Sequence, residues 1–161
     1  MVKDSVGYPV NRARISVALS GFTVPLLSRI YHAFDGDVVQ AIVLGEIAHR
    51  NVEAWLANRT NVEDPLYDQA QHQASMRPCN SLSIADASGI PRETVRRKVV
   101  TLIERGAIYR DAQGYLYITP NVGDNYEDMT AELVENLLKT ARSLEALLAN
   151  RPVPIGPLRL D

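Results

Sequence analysis

A single cysteine, Cys79, carries all the thiol chemistry of this 161-residue chain. No intrachain disulfide can form, a zinc ribbon is excluded, and such usage suits a reducing compartment. Histidine is nearly as scarce. His32, His49 and His72 share no metal-ligand spacing with one another or with Cys79, so no metal site is expected. Long apolar runs are also missing. The stretch 15–27 follows Arg12 and Arg14 as a signal-peptide core would, but Ser16, Ser20, Thr23 and Pro25 interrupt it and no A-x-A site follows. No other segment approaches the roughly 18 apolar residues of a membrane span. A G-x-S-x-G elbow, a phosphate-cradling glycine loop and a partnered pair of catalytic carboxylates are all absent, so neither an enzyme nor a cofactor is expected. These absences leave a soluble cytoplasmic protein with no membrane partner.

The composition, 46% hydrophobic and 22% charged, is that of an ordinary globular chain, and its length suits one domain with a terminal extension. The net charge of −2 conceals segregation. Between Arg77 and Arg110 seven basic residues face three acidic ones, a local +4, whereas Asn121 to Asn150 holds two basic and six acidic residues, a local −4. A basic middle in an acidic chain is the footprint expected where a polyanion docks.

Residues 1–22 read as an N-terminal arm. Ile15, Val17 and Leu19 alternate as a short strand would, and Thr23 with Pro25 marks the start of a helix that runs through Leu26, Leu27, Ile30 and Tyr31 and stops before Gly36. Asp37 and Gln40 have capping-box spacing and open a core helix to Trp55, with Val38, Val39, Ile42, Val43, Ile47 and Val52 at helical intervals. Residues 58–80 are polar and glutamine-rich, a long connection with a possible helix start at Asp64-Pro65. Residues 121–150 hold a final helix from Met129 to Leu148. Its stripe of Leu133, Val134, Leu137, Leu138, Ala141, Leu144, Leu147 and Leu148 is broad enough to serve as a dimer seam. The tail 151–161, with Pro152, Pro154 and Pro157, cannot continue that helix.

The informative stretch is SLSIADASGIPRETVRRKVVTLIERG, Ser81 to Gly106. It reads as two helices about a tight turn. Ser81 or Ser83 caps the first, and Gly89 falls where that helix must end in a left-handed residue. Pro91 occupies the first turn of the second, where a missing N–H costs nothing. Val95, Val99, Leu102 and Ile103 form its inward stripe, and Arg92, Glu93, Arg96, Arg97 and Lys98 its outward face. Two β-prone runs follow, Ala107 to Arg110 and Tyr115 to Ile118, joined by Asp111-Ala-Gln-Gly114 as a hairpin.

Together these residues, about 38 of the 161, resemble the winged helix-turn-helix of bacterial transcriptional regulators of the MarR, GntR and IclR types. The resemblance implies a mainly α fold with a small β-hairpin, in which residues 23–120 form the winged helix-turn-helix domain and N- and C-terminal helical extensions flank it. Residues 81–105 are then the helix-turn-helix and 107–118 the wing. The second helix, 91–105, enters the major groove of double-stranded DNA. Arg92, Glu93 and Arg96 are expected toward base edges, and Ser83, Thr94, Arg97 and Lys98 toward phosphates. Arg110 and Gln113 are the wing's candidates, though Asp111 leaves that wing weakly basic. A homodimer on paired half-sites and a nucleoid location follow. The alternative use of the same fold is a protein-interaction module without DNA binding. Tyr31, Trp55 and Tyr67 are candidates for lining an effector pocket, although aromatics at such positions are more often plain core, and nothing else in the sequence supports a small-molecule effector.

Overall fold

The structure is a computed structural model that describes residues 1–57 and 76–151. In chain order its elements are α1 (Tyr8–Ala33), α2 (Val38–Ala57), α3 (Ser81–Ser88), α4 (Arg92–Glu104), β1 (Ile108–Arg110), β2 (Leu116–Ile118) and α5 (Glu127–Leu148). The fold is mainly helical with one two-stranded antiparallel sheet. The expected connection at 58–75, with Asp64-Pro65 and Tyr67, and the tail beyond Arg151 lie outside the described residues. Among the described residues no helix is long and apolar enough to cross a membrane.

The chain divides into two compact units rather than one domain, Met1–Arg29 with the residues from Asp128 onward, and Ile30–Glu127. The second holds the main core. Val43, Leu44 and Ile47 of α2 pack with Ile84 and Ala85 of α3, Val95, Val99 and Leu102 of α4, and Ile108, Leu116, Tyr117 and Ile118 of the hairpin. Asp37 caps α2, its Oδ1 accepting from the Gln40 N–H at 3.0 Å, which satisfies one of the donors a helix leaves open at its start. The inward face of α2 is Gln40, Val43, Leu44, Ile47 and Asn51, whereas Ile42, expected inside, is exposed. Two polar residues therefore occupy core positions, and they shift the buried stripe away from the one that apolar residues alone suggest.

Asn51 shows why. It is fully buried, and its Nδ2 donates to the carbonyls of Arg77 (2.9 Å) and Leu116 (3.2 Å) while its Oδ1 accepts from the Ile118 N–H (2.8 Å). One amide thus ties α2 to the hairpin and to the segment leading into α3. Buried backbone groups need partners, and here a side chain supplies them. The hairpin pairs Ile108 with Ile118, Tyr109 with Tyr117 and Arg110 with Leu116, and Cys79 bridges the far side of Leu116. Burial pushes the Cys79 thiol up to about 11, so it stays protonated and unreactive at neutral pH.

In the other unit, the expected arm with a strand is instead helix, α1 beginning at Tyr8. Of the alternating trio only Ile15 is buried, Val17 and Leu19 being exposed. The partly or fully buried positions are Asn11, Ile15, Ala18, Phe22 and Leu26, steps of three and four that only a helix produces. Thr23 does not start the helix, and Pro25 lies within it. Proline there forfeits a bond to the Gly21 carbonyl, but both residues are exposed, so that carbonyl faces water. The N-terminus of α1 closes on the C-terminus of α5. Gly7 N–H donates to the Leu148 carbonyl at 2.9 Å, satisfying an open acceptor of the helix end, and Asn11 Nδ2 donates to the Leu147 carbonyl at 3.0 Å, which also accepts from the Asn150 N–H. A Cβ on Gly7 would sit 1.9 Å from the Leu147 oxygen, so only glycine permits this approach. Arg29 pairs with Glu132 at the other end of the two helices.

Candidate nucleic-acid interface

The two helices α3 and α4 meet around Gly89, which takes the left-handed conformation (φ 69°) that ends α3. The cap of α3 is Asn80 rather than Ser81 or Ser83. Its side chain accepts from the Ser83 N–H at 3.0 Å, and Ser83 Oγ accepts from the Asn80 N–H at 3.1 Å and donates to the Asn80 carbonyl at 2.9 Å. Ser83, a candidate phosphate ligand, therefore already spends its hydroxyl on the helix start. Pro91 sits one residue earlier than expected, at the cap of α4, and its carbonyl accepts from the Val95 N–H at 3.1 Å.

Helix α4 is anchored through Val95, Val99 and Leu102, each 1% exposed or less. Against that stripe, Glu93 and Arg97 project from the opposite side, with Arg92 and Arg96 beside them; all four are exposed, and Thr94 is half-buried. The apolar anchor is continuous with the core of the unit, so this face is presented by a fixed helix and not by a loop.

The charges are not equally available. Arg96 forms a two-pronged bridge to Glu93, Nε to Oε2 at 2.9 Å and the NH2 nitrogen to Oε1 at 2.7 Å. That hydrogen bonding is the main cause holding the Glu93 carboxyl below its usual range and Arg96 above its own. Lys98, expected at a phosphate, turns back to Asp37 at the start of α2 and is mostly buried. Burial alone would raise the Asp37 carboxyl, but hydrogen bonds from Lys98 and the Gln40 N–H, with the charges of Lys98 and Arg105, outweigh it and lower its pKa. Arg77 pairs with Glu53 at 2.7 Å and Arg105 with Asp35 at 2.8 Å. Of the seven basic residues from Arg77 to Arg110, only Arg92, Arg97 and Arg110 make no ion pair among the described residues. Sequence counting sees all seven alike, because acidic partners from α2 and the turn before it are distant along the chain.

The hairpin presents Arg110 and Gln113 outward. Asp111 organises its turn, with Oδ1 accepting from the N–H groups of Gln113 (3.0 Å) and Tyr115 (2.8 Å), and Gly114 supplies the positive φ of 90°. Tyr109 and Tyr117 stack across the strands, their ring centres 5.4 Å apart. Tyr31, one candidate for an effector pocket, is exposed and lies edge-on to His32, while the side chains of Trp55 and Tyr67 fall outside the description. Among the described residues no group of three or more His, Cys, Asp or Glu side chains is placed to hold a metal. Comparison with known proteins finds no matching family model, no matching curated protein and no matching solved structure.

Proposed function

We propose that this chain is a winged helix-turn-helix DNA-binding protein that regulates transcription, with α4 as the recognition helix in the major groove and the β1–β2 hairpin as the wing. The observation that carries the reading is the outward face of α4, where Arg92 and Arg97 stand exposed and, among the described residues, without ion-pair partners, on a helix whose other side is locked into the core. Arg97 and Arg92 supply the first attraction to phosphates, and Arg96 with Glu93 acts as a coupled pair. Arg96 is held by Glu93 through Nε and one terminal nitrogen, and its remaining donors are those offered to a guanine edge or a phosphate. Lys98 and Ser83 support the helices rather than touching DNA. Arg110 makes the hairpin a lesser contact.

A second copy of the chain completes the proposed assembly. Val17, Val24, Leu27, Val134, Leu137 and Leu138 of α1 and α5 are 50–65% exposed, an apolar surface that a homodimer would cover. Two recognition helices would then meet half-sites about one DNA turn apart, roughly 34 Å. Fluorescence anisotropy with labelled duplexes recovered from a genomic pool tests the reading. The double variant Arg92→Ala/Arg97→Ala is expected to bind at least tenfold more weakly, while Lys139→Ala/Arg142→Ala on α5 leaves affinity unchanged. Equal loss in both variants, or no duplex binding by the parent protein at low salt, overturns it.

A further inference from the structure

On the outward face of α4 one arginine differs from its neighbours in having its plane fixed. Arg92 and Arg97 are exposed and make no ion pair among the described residues. Arg96 is exposed too, yet its Nε donates to Glu93 Oε2 at 2.9 Å and its Nη2 to Oε1 at 2.7 Å. The backbone that carries it is equally constrained, because Val95 directly before it and Val99 almost one turn on are both 0% exposed. A bridge between exposed side chains three residues apart adds little stability. Its main consequence is geometric.

A guanidinium is a planar fork that can meet a pair of acceptors along either of two edges. Glu93 fills the edge formed by Nε and Nη2. The other edge, Nη1 with the second hydrogen of Nη2, engages no acceptor among the described residues. Two acceptors side by side are what it can take. In the major groove guanine presents such a pair, O6 and N7; adenine sets an amine beside its N7, cytosine offers an amine, and thymine has one oxygen next to a methyl group. A phosphate also has two oxygens, but it would bring a second anion to a guanidinium already holding one. The hydrogen bond from Arg96 lowers the Glu93 carboxyl, so at neutral pH that first anion is always present. Resting on the reading of α4 as a recognition helix, we propose that Glu93 is a positioning residue: it commits Arg96 to a guanine edge, keeps it off phosphate, and so fixes one G·C pair in each site. Attraction to the backbone then belongs to Arg92 and Arg97, and base selection to Arg96 as Glu93 aims it.

The test uses the full chain and a duplex that it selects from a pool of randomised sequence, with affinity read by fluorescence anisotropy at several salt concentrations. Each guanine of that duplex is replaced in turn by 7-deazaguanine, which lacks the N7 acceptor. At one position the replacement is expected to weaken the parent about fivefold or more. Arg96→Ala should bind the replaced and unreplaced duplexes equally and keep the salt slope of the parent. Glu93→Gln keeps the size of the side chain and loses its charge. It should bind unselected duplex at least as tightly as the parent, while its preference for guanine over adenine at that position falls about fivefold. An unchanged preference in Glu93→Gln would leave Glu93 as an acidic residue that merely suits the start of α4, and would overturn the inference. A loss of about 0.9 from the salt slope in Arg96→Ala, with base preference retained, would put Arg96 on a phosphate and overturn it while leaving DNA binding intact. A parent that binds all duplexes alike overturns it as well, and a parent that binds no duplex at low salt overturns both readings.

Discussion

The two units of this protein handle apolar surface in opposite ways. In Ile30–Glu127 a set of large side chains is wholly withdrawn from solvent: Val43, Ile47, Ile84, Val95, Val99 and Leu116 are each 0% exposed, and a helix, a sheet and two further helices converge on them. In the unit of α1 and α5, Ile15 and Leu147 are the buried apolar residues among those described, while Leu137, Leu138, Val17 and Leu27 remain half exposed or more. Two helices have only one mutual seam, so among the described residues the remaining apolar flanks stay exposed. The unit Ile30–Glu127 has a core of its own that holds α4 in place. The unit of α1 and α5 leaves much of its apolar surface exposed.

The sharpest way to break that contrast is to remove the same kind of side chain from each. Leu102→Ala, in the core under α4, is expected to cost about 3 kcal/mol in urea unfolding. Leu137→Ala should change stability by less than about 0.5 kcal/mol in dilute protein, since its side chain is already half in water. It should weaken self-association measured by sedimentation. Equal costs for the two would erase the distinction between the units.

A smaller effect separates the units by location. Gly7→Ala forces a methyl onto the Leu147 and Leu148 backbone and is expected to cost about 2 kcal/mol. Hydrogen exchange should quicken in the first turns of α1 and the last turn of α5, with amides of α2 and α4 unchanged. Quickening throughout would mean that the chain opens as one cooperative body.

A more modest effect than that of Gly7→Ala concerns Asp37, where α2 and α4 are joined. Asp37→Asn keeps the capping acceptor and loses the charge pairing with Lys98, at a cost of about 1 kcal/mol near neutral pH. Because the folded carboxyl titrates below its ordinary value of 3.8, its contribution is full above that value and fades as pH falls through the lower folded one. The stability gap between the parent and Asp37→Asn should therefore begin to narrow as pH falls below 3.8 and close only below the lower folded value. A difference that persists in acid would assign the effect to packing.

Local signals made the middle of the chain readable. Gly89, Pro91, the inward spacing of Val95, Val99 and Leu102, and the Asp111–Gly114 turn each act within a few residues, and the structure has α3, α4 and the hairpin within one or two residues of where they point. The capping Asp37 was legible for the same reason. What escaped depends on distant partners. Asn51 and Gln40 sit in core positions that an apolar count assigns to others, and the pairing of Lys98 with Asp37 joins residues 61 positions apart. Helix α1 was hidden by Pro25 and by an Ile15-Val17-Leu19 alternation that mimics a strand when only one face of a helix is counted. The Asn80 cap was missed because two serines directly after it offer the same chemistry.

In the proposed function the exposed face of α4 grips duplex DNA through Arg92 and Arg97, whose charges make no ion pair among the described residues. The most direct measurement is the salt dependence of duplex affinity for the parent and for Arg92→Ala/Arg97→Ala. Each phosphate contact contributes about 0.9 to the slope of log affinity against log salt, so the double variant should lose about 2 from that slope. A slope that is unchanged in the variant, or a parent affinity that does not fall as salt rises, would contradict the account.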